Sequence, residues 1–116
     1  MAEPCYLEAL SIYRRHERTR PLDLANAIRS FAVLKDEVGA AEQSQSLWQE
    51  AHDLYVGLKL SAGIAESAAR LALLARQQGD LARSRARLIE ANAAADATDD
   101  PETLQYLRKV TAQLAI

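Results

Sequence analysis

Seven residues recur at an interval of forty positions, and this spacing limits the folds that the chain can adopt. The segment from Leu71 to Ala91 has a diluted copy of itself forty residues upstream. The matched pairs are Ala25 and Ala65, Ala32 and Ala72, Leu34 and Leu74, Gly39 and Gly79, Ser44 and Ser84, Glu50 and Glu90, and Ala51 and Ala91. A fixed interval of this size is typical of a supersecondary unit that repeats along the chain and packs against the next copy.

The composition favours helices over strands. Alanine supplies thirteen of the thirty-six residues from 62 to 97, whereas valine and threonine contribute only four residues each to the whole chain. Alanine is the strongest helix former, and β-branched residues are those enriched in strands. We therefore expect an all-α fold, and a length of 116 residues indicates a single domain over 1–116.

Glycine, proline and capping residues divide the chain into six predicted helical segments. The first covers about 4–15, and its apolar residues at positions 6, 9, 10 and 13 have the spacing of one buried stripe. Gly39 and Gly79 are expected to end the second and fourth segments, because glycine accepts the left-handed conformation that closes helices. Ser61 and Asp80 are expected to cap the fourth and fifth segments, and Asp100 before Pro101 indicates the start of the sixth. The connections are only a few residues long, so consecutive helices should be antiparallel neighbours.

Trp48 and Leu81 are both expected to lie in the core. Trp48 shares a helical stripe with Leu47, Ala51 and Tyr55, and packing there is favoured over a role in stacking against a ligand. Leu81 is assigned to the buried side of the fifth segment together with Leu88 and Ala91.

The pattern around these glycines resembles the tetratricopeptide repeat. Ala32 and Ala72 stand at its eighth position, Gly39 and Gly79 at its fifteenth, Ser44 and Ser84 at its twentieth, Trp48 and Leu88 at its twenty-fourth, and Ala51 and Ala91 at its twenty-seventh. The resemblance implies a right-handed α–α superhelix of about six antiparallel helices. It divides the chain into a half unit at 4–16, full units at 21–58 and 61–97, and a half unit at 100–115. The interval of forty exceeds the usual 34 and is similar to the long variant found in kinesin light chains and many bacterial regulators.

In that family, the first helix of each unit lines an inner groove that binds extended or helical peptides. The resemblance then implies eight residues for contact with a protein or peptide partner: Asn26, Arg29, Val33, Asp36, Glu66, Ala69, Leu73 and Arg76. Asp36 and Arg76 are candidates for an ion pair across this groove. The alternative, a solvated face that binds no partner, is left open.

The remaining chemistry is sparse. We expect no enzyme, because neither His16 nor His52 is accompanied by ligands or carboxylates at a fixed spacing. The single cysteine, Cys5, makes no metal site or internal disulfide, and no cofactor motif is present. A net charge of −2 argues against nucleic acid, and no run is long and apolar enough for a membrane span. A cytoplasmic location follows as an expectation.

Two functions are favoured at this point over a third hypothesis, an enzyme or the regulatory fragment of an enzyme. The first is a protein–protein interaction module, or scaffold, that binds a partner in the groove. The second is a homo-oligomerising structural or regulatory fragment of a larger repeat protein, with a homodimer formed through an end helix. The second function arises because the chain starts and ends within a unit, and solenoids need polar caps at their ends.

Overall fold

The computed structural model describes residues 21–114, and these form five α-helices joined by short turns. The helices are α1 (Pro21–Glu37), α2 (Ala41–Leu58), α3 (Ser61–Gln77), α4 (Leu81–Ala95) and α5 (Pro101–Leu114). Between 21 and 114 there is no strand, so the all-α prediction is confirmed for this range. The helix predicted at 4–15 lies outside the described residues.

Contacts divide the chain into two compact units, Met1–Leu54 and Tyr55–Ile116. In the first unit, the described part consists of α1 and most of α2. In the second, the end of α2 is followed by α3, α4 and α5, which contact one another pairwise. None of the five described helices combines the length and the apolar character needed to cross a membrane.

The turns after α1 and α3 have the same backbone structure at positions forty residues apart. Gly39 has φ 75° and Gly79 has φ 80°, in the left-handed region that glycine adopts without steric cost. The N–H of Ala40 donates to the Lys35 carbonyl at 3.0 Å, and the N–H of Asp80 donates to the Ala75 carbonyl at 2.9 Å. This six-residue closure is the Schellman motif. The two predicted glycine turns are thus confirmed, and they are built alike.

A third turn of this kind ends α2, although it contains no glycine. Lys59 has φ 58°, and the N–H of Leu60 donates to the Tyr55 carbonyl at 3.1 Å. Leu60 then precedes the first turn of α3 without any side-chain cap. The predicted cap at Ser61 is wrong, because Ser61 is already the first residue of α3.

Aspartate residues cap α4 and α5, as predicted. The Asp80 carboxylate accepts a hydrogen bond from the backbone N–H of Arg83 at 3.1 Å. The Asp100 carboxylate accepts one from the backbone N–H of Thr103, also at 3.1 Å. Both bonds satisfy an N–H group that has no partner within its helix.

Small side chains dominate the buried positions of the second unit, whereas the first unit combines them with larger side chains. In the first unit, Ile28, Ala32, Trp48 and Ala51 are all fully buried, which confirms the core position predicted for Trp48. In the second unit, one core cluster joins three helices and consists of Ala65, Ala68, Ala69, Ala91, Ala95, Leu107 and Val110. Leu81 is 64% exposed, so its predicted burial is wrong. It occupies the first position of α4, and the buried face of that helix begins only at Ser84.

The start of α3 approaches the end of α2 closely at Gly63. A Cβ atom at this position would overlap the ring of Tyr55, which is itself buried. The close packing against Tyr55 therefore requires glycine at position 63, although this residue lies within a helix and not in a turn.

Two substitutions at equivalent turn positions should change stability in opposite directions. Lys59→Gly should raise the free energy of unfolding by about 1 kcal/mol, because it removes the strain of a side chain at positive φ. Gly79→Ala should lower the free energy of unfolding by about 1 kcal/mol, because it places a side chain at positive φ. An added Cβ there meets no atom within 4 Å, so no steric clash adds to this cost. Urea unfolding followed by circular dichroism measures both. Changes of the same sign would contradict the left-handed turns.

Candidate functional site

Four of the eight predicted contact residues lie along one side of α1. Asn26 is exposed, and Arg29, Val33 and Asp36 are half-buried. They are three or four positions apart, so they share a face of the helix. The residues of α1 that are buried are Ala25, Ile28, Ala32 and Lys35.

Asp36 is hydrogen-bonded within its own helical hairpin. One oxygen of its carboxylate accepts a hydrogen bond from Trp48 Nε1 at 2.9 Å, and the other accepts one from Ser44 Oγ. Both donors belong to fully buried residues of α2, and burying such donors without an acceptor is costly. These bonds give Asp36 a structural role, whereas its expected ion pair with Arg76 stays a prediction.

The other four predicted residues lie on α3, and one of them is a packing residue. Glu66, Leu73 and Arg76 are half-buried. Ala69 is fully buried in the core cluster of the second unit. Ala69 therefore presents no surface to a partner, which corrects its assignment as a contact residue. Leu73 packs partly against the same cluster, so only part of its side chain is accessible.

Two contacts join α3 to α5 beside these residues. The guanidinium of Arg70 lies over the ring of Tyr106, with 4.7 Å from Cζ to the ring centroid. Arg76 Nη1 donates to the backbone carbonyl of Gln113 at 3.1 Å. The first is a cation–π contact. The second places a positive charge at the C-terminal end of α5, where the helix dipole favours it.

We name the patch formed by these side chains the α3–α5 surface. It consists of Glu66, Arg70, Leu73 and Arg76 from α3, with Tyr106 and Gln113 from α5. The contacts of Arg70, Tyr106 and Gln113 were not expected from the sequence. The sequence does contain a signal for the position of Tyr106. Extending the forty-residue interval makes Tyr106 equivalent to Asn26 and Glu66, which are predicted contact residues.

Arg76 is the group on this surface best suited to bind an anion. A guanidinium carries five N–H donors in a planar fork, and the bond to Gln113 uses one of them. Since the side chain is half-buried, a carboxylate bound there would be partly shielded from water, which strengthens the interaction.

Among residues 21–114, His52 is the only histidine. His52 is buried on α2, with Nδ1 3.7 Å from Asp53 Oδ1. No group of three or more histidine, cysteine or acidic residues between 21 and 114 is arranged to hold a metal ion. His16 and Cys5 lie outside this range.

Comparisons with known proteins give no relative. No family model matches the chain, and neither a curated protein nor a solved structure shows significant similarity to it. The tetratricopeptide resemblance accordingly rests on the residues of this chain alone.

Removing the Asp36 carboxylate should destabilise the first unit. Asp36→Ala deletes the acceptor for Trp48 Nε1 and Ser44 Oγ, and we expect the free energy of unfolding to fall by about 1–3 kcal/mol. The emission of Trp48, the only tryptophan of the chain, reports on this region during urea unfolding. Glu37→Ala, at an exposed neighbouring position, is the control and should change stability by less than about 0.5 kcal/mol. Equal effects of both variants would contradict the structural role of Asp36.

Proposed function

We propose that this protein is an interaction module that binds a peptide or a segment of a protein partner along the α3–α5 surface. The observation that carries the proposal is the arrangement of Leu73, Arg76 and Tyr106 on two adjacent helices. Aromatic and arginine side chains beside a partly buried apolar residue are the composition of energetically important interface sites. The proposal assigns no catalytic step to the chain.

The architecture proposed for this function is the right-handed tetratricopeptide superhelix. It is supported by the forty-residue correspondence of the helix ends, since α1 and α3 end at Glu37 and Gln77, and α2 and α4 begin at Ala41 and Leu81. In such a solenoid the first helix of each unit lines one continuous groove.

The chemistry of the surface suggests the type of peptide. Arg76 would bind a carboxylate, and the accessible parts of Leu73 and Tyr106 would contact an apolar side chain near it. We therefore propose a partner segment that combines acidic and large apolar residues, bound in the cytoplasm. A single cysteine in 116 residues is consistent with that location.

Selection from a random peptide library displayed on phage tests this proposal with the full chain as bait. We expect the selected peptides to converge on a motif with an acidic and an apolar residue. Arg76→Glu should weaken binding of the best peptide by at least about tenfold, because a hydrogen bond to a charged group is worth ~1.5–3 kcal/mol. Fluorescence polarisation measures the dissociation constant.

Arg85→Glu provides the matched control, because Arg85 is exposed on α4 and lies outside the α3–α5 surface. It should leave the affinity unchanged, and both variants should retain their helical circular dichroism. A selection that yields no common motif, or equal affinities for the two variants, would refute the proposed site.

Self-association is a second candidate function, and a specific observation favours it. Ala112 on α5 continues the series of Ala32 and Ala72 at the forty-residue interval. Those two alanines are fully buried, whereas Ala112 is exposed. An alanine that is exposed where its two counterparts are buried is a site where a second copy could pack.

A further inference from the structure

The side of α4 that faces away from the core is apolar and exposed. The buried residues of this helix are Ser84, Ala91 and Ala95. On the opposite side, exposed residues follow the i, i+4, i+7, i+11 spacing of one helical stripe: Ala82, Ala86, Ile89 and Ala93. Ile89 is 65% exposed, and Leu81 beside the start of this stripe is 64% exposed. We name these residues, with Leu81, the α4 face.

The equivalent positions of α2 show that the hairpin does not require apolar residues there. Forty residues upstream of the stripe, all four residues are polar or acidic: Glu42, Ser46, Gln49 and Asp53. Gln49 Nε2 donates to Asp53 Oδ1 at 3.0 Å along the surface of α2. Apolar residues at exposed positions that are polar in the other copy of the repeat indicate a contact with another molecule.

We infer that the α4 face binds the α4 face of a second copy of this chain, with the two helices antiparallel. A two-fold axis beside the middle of α4 then brings Ile89 of each copy against Ala86 of the other, so that a large side chain meets a small one. Ala82 of each copy meets Ala93 of the other in the same way. This pairing uses neither the α3–α5 surface nor Ala112, and it does not depend on peptide binding.

The charges beside the α4 face are self-complementary, which favours a second copy as the occupant. Arg83 and Glu90 are seven positions apart and flank the stripe on the same side. In an antiparallel pair, residues of the same flank face each other, so Arg83 of each copy lies beside Glu90 of the other. Glu90 also binds Arg87 at 3.0 Å, and a carboxylate can accept several hydrogen bonds at once.

The antiparallel direction is favoured over the parallel one by two further features. Asp96 is exposed and continues the stripe at the end of α4. Parallel helices would bring the two Asp96 carboxylates together, whereas antiparallel helices separate them. Antiparallel packing also places the positive end of each helix dipole beside the negative end of the other.

The first test is the mass of the full chain in solution. The contact is small, because each copy contributes one helix of 15 residues, and we expect a dissociation constant above about 1 µM. Sedimentation equilibrium should show the mass rising from one chain towards two as the concentration increases to about 1 mM. A wild type that is still monomeric at about 1 mM would overturn the inference.

Ile89→Gln tests whether the α4 face forms the contact. The equivalent residue of α2 is Gln49, so the variant should fold and keep the urea midpoint of the monomeric wild type. Its dissociation constant should rise by at least about tenfold, because each dimer loses two apolar side chains from its centre. Val56→Gln is the matched control, since Val56 is an exposed apolar residue of α2, and it should associate like the wild type. Equal association of the two variants would overturn the assignment of the face.

A mixture of two charge variants tests the antiparallel direction. Arg83→Glu and Glu90→Arg should each weaken the dimer, because each places like charges opposite one another at two points. In a dimer of one variant with the other, both points again join opposite charges. At low ionic strength, where surface charges are least screened, the mean mass of an equimolar mixture should exceed that of either variant alone at the same total concentration. A mixture no heavier than the separate variants would overturn the antiparallel pairing.

Two further measurements separate this inference from the proposed functions. If Ala112→Arg abolishes association and Ile89→Gln does not, self-association through Ala112 stands and the α4 face is the wrong surface. Ile89→Gln should leave the affinity for a selected peptide unchanged, so the failure of either proposal leaves the other intact.

Discussion

The close approach of helices at alanine positions is the constraint on which the structure depends. Each of the two hairpins has fully buried alanines on both of its helices, among them Ala32 and Ala51 in the first hairpin and Ala72 and Ala91 in the second. A larger side chain at such a crossing would push the helix axes apart, beyond the lower end of the ~8–10 Å packing range. The forty-residue interval places these alanines at equivalent positions in the two hairpins.

The two hairpins differ in the role of the residue three positions before the turn glycine. In the first, Asp36 accepts hydrogen bonds from Ser44 and Trp48. In the second, Leu88 replaces the tryptophan, and Ser84 donates to a backbone carbonyl instead. The residue equivalent to Asp36 is Arg76, which instead reaches α5. The second hairpin lacks the hydrogen bonds that hold Asp36 in the first. Arg76 therefore contacts the next helix and, in our proposal, a partner.

Local chemistry made the turns predictable, whereas roles that depend on tertiary contacts were missed. Gly39, Gly79 and Asp80 were identified from the sequence because the conformation or capping bond of each depends on a few neighbouring residues. Ser61 was misassigned because α2 ends through Lys59 at positive φ, which no residue preference indicates. The burial of Ala69 and the hydrogen bonds of Asp36 depend on which side chains face them across the hairpin or the core, and spacing along one helix does not specify that.

Substituting leucine at the three equivalent alanines tests the central claim most directly. Ala32→Leu and Ala72→Leu should each lower the free energy of unfolding by about 1–3 kcal/mol, because both overpack a filled helix crossing. Ala112→Leu, at the same place in the repeat but exposed, should change it by less than about 0.5 kcal/mol when measured at a concentration where the protein is monomeric. Urea unfolding that shows similar effects for all three substitutions would contradict the account.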